Sequence, residues 1–139
     1  MAPPVATHAW YRPYIYLLRI QREWTWDEAF EHVNRTNAAL EAASQEQEVY
    51  VIFQFEPGVS YIPRGSNALP NLRRLILNDP ADEILCVFVG EVAVLKKLLN
   101  TILRVYNLFS LTTHYRFART LDEAVALIES KRVERSSSD

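Results

Sequence analysis

The stretch "EVYVIFQF", residues 48–55, decides the fold. It is nearly continuously apolar, rich in branched and aromatic side chains, and stopped at once by Pro57 and Gly58. A strand with one wet face alternates apolar and polar residues, whereas a run this uniform belongs to a strand covered on both faces. "EILCVFVG", residues 83–90, repeats the pattern. Two such strands belong at the centre of one sheet, and the segments around them decide what kind of sheet it is.

Working outward, "PYIYLLRIQREWT" (13–25) sets Tyr14, Tyr16, Leu18 and Ile20 in alternating register, which predicts a strand. A shorter strand within Val5–Trp10 precedes it, turned back by "YRP". Thr25 and Glu28 form a capping box, and Trp26, Ala29, Phe30, Val33, Asn37 and Leu40 follow at helical spacing. After the 48–55 strand come a Gly/Pro loop and a helix to about Asn78, ended by "NDP". The longest helix spans 91–109, "HYRFAR" (114–119) is a strand, and Thr120 with Glu123 caps the helix "TLDEAVALI". Strands alternating with helices predict an α/β fold with a mostly parallel central sheet of four to five strands and right-handed crossovers. The expected organisation is an N-terminal segment, 1–12, with an edge strand; one domain, 13–131; and a polar, disordered tail, 132–139.

Composition bounds the function. A chain of 139 residues and 16.1 kDa is enough for one self-sufficient core. A net charge of −2 and a pI near 5.9 supply no field to attract nucleic acid. The single cysteine, Cys86, has no disulfide partner and sits mid-strand, as an inert buried thiol in a reducing compartment does. No apolar run approaches the roughly 18 residues of a membrane span, and "MAPPVATHAW" lacks the basic and apolar regions of a signal peptide. These features point to a cytoplasmic protein with no membrane insertion.

The chemistry-bearing candidates do not assemble into an active site. Gly58 and Gly65 match neither the dinucleotide nor the P-loop spacing, Pro63 and Pro70 remove N–H donors, and Glu91 would repel an anion. Tight turns explain both glycines. His8, His32 and His114 lie on different elements with no Cys or carboxylate at metal spacing, so no metal and no cofactor is expected. No Ser/His/Asp or Cys/His set emerges, and the chain reads as a non-enzyme. The 91–109 helix is the anomaly. Leu95, Leu98, Leu99, Ile102 and Tyr106 make one apolar stripe, which Val94, Val105 and Leu108 widen on one side and Val92 and Leu103 on the other. More than half the circumference is then apolar, more than one sheet needs. The surplus calls for a cover, either this chain's N-terminal segment or another molecule.

The order of elements, with "PGVSYIPRGSNAL" after a central strand and "RFARTLDEAVALIES" at the end, resembles the STAS domain of bacterial anti-sigma factor antagonists. The resemblance covers about residues 13–131, and Gly58, Val59, Ser60, Tyr61 and Ile62 carry its best local match. It implies a STAS-like fold and a regulatory, non-catalytic role in protein–protein signalling. Pro63, Arg64, Gly65 and Ser66 stand where that family carries an acidic residue, serines and a glycine, so its phosphoacceptor motif is not retained. Arg64 sets a fixed positive charge where phosphorylation would add about −2. Ser66 suits a helix cap better than a phosphate acceptor. The expected partner surface comprises Tyr61, Arg64, Ser66 and Glu91 at the carboxyl ends of the central strands, with Val94, Val105 and Leu108 on the long helix. A protein partner or a homodimer would cover it. The alternative is a small-molecule or lipid-binding module using a cavity beneath that helix.

Overall fold

The computed structural model describes residues 4–59, 62–63, 65–68, 70–71, 74, 85–107 and 115–137. Its elements are β1 (Ala6–Arg12), β2 (Ile15–Ile20), α1 (Trp26–Ser44), β3 (Tyr50–Phe55), β4 (Leu85–Val89), α2 (Val92–Val105), β5 (Tyr115–Ala118) and α3 (Leu121–Ser137). The five strands form one sheet in the order β1-β2-β3-β4-β5. From β2 to β5 the neighbours are parallel, while β1 runs antiparallel to β2. The sheet is therefore mixed, not mostly parallel as the alternation of elements suggested. The cause is the short link between β1 and β2: only Pro13 and Tyr14 separate them, and a connection that short can only fold the chain back antiparallel.

Side chains alternate between two covered faces. Tyr16, Val51, Cys86 and Tyr115 lie on one face, packed with Leu40 of α1 and Leu99 of α2. Ile15, Leu17, Tyr50, Ile52, Leu85 and Val87 lie on the other, packed with Ala124, Val125 and Ile128 of α3. Crossovers of one hand between successive strands put α1 and α2 on the same face, which leaves α3 to close the opposite one. On the α1/α2 side, Phe53, Phe88 and Phe117 stack across β3, β4 and β5, with ring centroids 5.4 and 5.9 Å apart. Cross-strand aromatic pairs of this kind pin register.

The C-terminal residues expected to be a disordered tail continue α3 as far as Ser137. Polar anchoring carries the helix past its last apolar contact. Glu129 accepts from Tyr14 and pairs with Arg12 at 2.9 Å, and the Arg132 guanidinium sits 3.5 Å from the centroid of the Tyr14 ring. The Tyr14 hydroxyl, ahead of the arginines, holds the Glu129 carboxyl below the usual carboxylate range. Among the described residues, no helix is long and apolar enough to cross a membrane.

Both expected caps are in place. Thr25 Oγ1 accepts from the Glu28 N–H at 3.2 Å, and the Glu28 carboxylate accepts from the Thr25 N–H at 3.0 Å. Thr120 Oγ1 accepts from the Glu123 N–H at 3.1 Å, but the Glu123 carboxylate reaches back to Arg119, one residue earlier than in a strict capping box. Thr25→Ala and Thr120→Ala should each lower stability by about 0.5–2 kcal/mol. Urea melts check this: each midpoint should fall with an unchanged slope, and curves that overlay the wild type contradict the cap.

Candidate functional site

Parallel order brings the loop after β3 and the start of α2 to one edge of the sheet. There the Glu56 N–H donates to the Ile20 carbonyl at 3.0 Å, and the Gly90 N–H to that of Ala118 at 3.1 Å. The Arg19 guanidinium pairs with the Glu56 carboxylate and braces the corner. Gly58 and Gly65 both have positive φ, 85° and 127°. A Cβ on Gly65 would stand 2.9 Å from Cδ1 of Trp26, so the loop approaches the first turn of α1 too closely for any side chain. Val59 packs on the Trp24 and Phe55 cluster, Pro63 is buried, and the Arg74 guanidinium lies 4.4 Å over the Phe30 ring. Gly65 against Trp26 and Arg74 over Phe30 hold this segment close to α1, and the glycines serve the turn and the close approach.

Of the expected partner residues, Tyr61, Arg64 and Leu108 lie outside the described residues, as does His114. Ser66 is exposed at the loop's end, and its carbonyl accepts from the Asn71 side-chain amide at 3.3 Å. The next residue, Asn67, accepts the Asn71 backbone N–H. Glu91 is the exposed N-cap residue of α2, and its side chain makes no capping hydrogen bond. Val94 and Val105 are 45% and 54% exposed on the same helix. Ile102 and Leu103 face inward, with Leu98, Leu99 and Tyr106 half-buried at the margin. Glu91 and Val94 therefore join the carboxyl edge of the sheet, while Val105 lies about 16 Å further along the helix axis.

One cluster that the spacing did not suggest lies under α1 at the other side of the sheet. His8 of β1 shares its register position with Leu18, on the face that α1 covers. His8 Nδ1 lies 2.8 Å from the Tyr16 hydroxyl, and His8 Nε2 lies 2.8 Å from His32 Nδ1 of α1. Fully buried Thr36 donates to the His32 carbonyl at 2.9 Å. The contacts are satisfied with one proton each: Tyr16 donates to His8 and His8 to His32, or both run in reverse. Charging both rings would set N–H against N–H at their contact. Burial, then the positive charge of Arg35, then His32, push the His8 imidazole down to about 4. Burial also raises the Tyr16 hydroxyl, against the lowering pull of Arg35. The overlooked signal was on α1: buried Thr36 and half-buried His32 lie on the same inward side as Ala29 and Leu40, beside half-buried Val33 and Asn37.

Among the described residues, no three His, Cys, Asp or Glu side chains gather as a metal site. Cys86 is free and buried. No family model, no curated protein and no solved structure matches this chain.

The buried setting of His8 makes stability depend on pH. Unfolded, His8 takes up a proton near 6.5; folded, it does so only near 4. The unfolded chain binds more protons throughout that window, so this contribution is whole above 6.5, declines as the pH falls and is gone below about 4. Urea melts at pH 7 and pH 5 should show wild type losing more stability than His8→Gln over the same interval. Equal losses contradict the assignment, as does a His8 ring that titrates near 6.5 by NMR.

Proposed function

We propose that the protein is a non-catalytic regulatory module of the cytoplasm that docks onto another protein through the outer face of α2. The observation that carries this reading is the joint exposure of Val94 and Val105 on that helix. Eleven residues apart, they fall within about 20° of each other around the axis and so form one line, with exposed Thr101 between them. Leaving side chains of this size in water forgoes about 1.5–3 kcal/mol each relative to full burial.

The flanks argue for the partner's chemistry. Lys97 and Arg104 are exposed on one flank of the line, Lys96 lies on the far side of the helix, and Val92–Val105 contains no Asp or Glu. A basic stripe on a chain of net charge −2 suits a surface with an apolar centre and an acidic rim. A second copy suits it less well, because a two-fold contact would press the same cations together with only the N-cap Glu91 to pair them. The resemblance to anti-sigma factor antagonists supports the regulatory character. Control would not run through phosphorylation at 63–66, where Pro63, Arg64 and Gly65 replace an acidic-serine motif. Stoichiometric phosphate on Ser66 in protein from native cells would contradict that part.

A photo-crosslinking amino acid at Val105, introduced in the native cell, tests the docking. It should capture a protein through an acidic surface, and Lys97→Glu with Arg104→Glu should abolish the adduct. The same probe at exposed Leu127 of α3 should capture nothing. These are exposed positions, so the variants should melt within about 0.5 kcal/mol of wild type. Capture that survives both charge reversals removes the acidic partner, and equal capture from Leu127 removes the α2 face.

A further inference from the structure

The outward line on α2 has an internal period. Val94, Leu98, Thr101 and Val105 stand at i, i+4, i+7 and i+11, the alternating four- and three-residue steps of a coiled-coil seam. At about 100° per residue the four fall within roughly 60° of one another around the axis. Val94, Thr101 and Val105 are exposed, and half-buried Leu98 joins the seam to the part of α2 that lies on the sheet. On that side the fold closes the helix, with Ile102 buried. On the other flank Lys97 and Arg104 stand seven apart, so the charge repeats at the interval of the seam.

Thr101 is the polar member of the seam. A hydroxyl sealed under a partner is costly when it is left unpaired. Here Thr101 Oγ1 already donates to the Lys97 carbonyl at 2.8 Å, inside its own helix. That hydrogen bond travels with it into a contact, and its methyl group is what it offers a partner. The seam is therefore fit for apolar packing along its whole length, about 16 Å from Val94 to Val105.

We infer that the occupant of this seam is an amphipathic helix of the partner protein, laid along α2 and carrying two carboxylates seven residues apart. The inference rests on the docking reading above and names the element that docks. A helix presents apolar side chains at the same three- and four-residue steps, so they enter the spaces between Val94, Leu98, Thr101 and Val105. Its carboxylates at heptad spacing meet Lys97 and Arg104 together, because both helices rise about 1.5 Å per residue. An extended strand advances about 3.3 Å per residue with alternate side chains turned away, and keeps no such step. A membrane surface takes a helix with a broad apolar face, whereas this seam is a narrow strip. A second copy, paired Val94 to Val105 about a two-fold axis, sets Lys97 beside Arg104 of the other copy, like charge against like.

Crosslinking at three positions reads the occupant's shape. A photo-crosslinking amino acid is placed at Val94, Thr101 or Val105 in the native cell, and the linked peptides are sequenced. The adducts should fall in one segment of one protein, with the Val94 and Val105 contacts about eleven residues apart and two carboxylates at heptad spacing beside them. Contacts about five residues apart mark an extended segment, which covers the same distance in that length. That result, or contacts scattered over several segments, overturns the helix but leaves docking on α2 in place. A lipid adduct, a linked peptide from this chain itself, or no adduct at any of the three positions overturns both. Capture from Val105 should also survive Thr101→Val, because the hydroxyl is already bonded within its own helix. Loss of capture in that variant overturns the apolar seam.

Discussion

Everything in this molecule follows from β3 having no wet face. Tyr50, Val51 and Ile52 are all buried, and they alternate between the two sides of the sheet. Parallel strands can hold that position only if helices cover both faces. With strands joined in spatial sequence, the crossovers supply cover on one side only. α1 and α2 take that side, and α3 must cross the other alone. That requirement accounts for the C-terminal helix holding to the sheet beyond Ile128, through the Glu129 and Arg132 contacts to Arg12 and Tyr14. One helix cannot blanket five strands, and Ala9 and Tyr11 of β1 remain exposed.

Much of this was legible in the sequence where periodicity or local chemistry carries the information. The two all-apolar strands, the alternation in 13–25 and the threonine–glutamate caps each appear in the structure, because each is a property of a few adjacent residues. The sheet's mixed character was missed. It depends on a two-residue hairpin, and the weight given to strand–helix alternation outweighed the "YRP" turn. The length of α3 was missed for a different reason. Residues 131–137 hold almost no apolar signal, and cation–π and ion-pair anchoring leaves no period to read.

The candidate site divides along the same line. The apolar surplus of α2 was visible as a stripe too wide for one sheet, and Val94 and Val105 are the exposed margin of that stripe. Leu103, placed on the opposite margin, is fully buried against the fold. The His8–His32 contact joins residues 24 apart through a hairpin and a helix, so no spacing rule could reveal it. Its trace lay in α1, where two polar residues, His32 and Thr36, occupy the inner line of an otherwise apolar face. Half-buried His32 needs a polar partner, and His8, itself in contact with the Tyr16 hydroxyl, supplies it from the neighbouring sheet face.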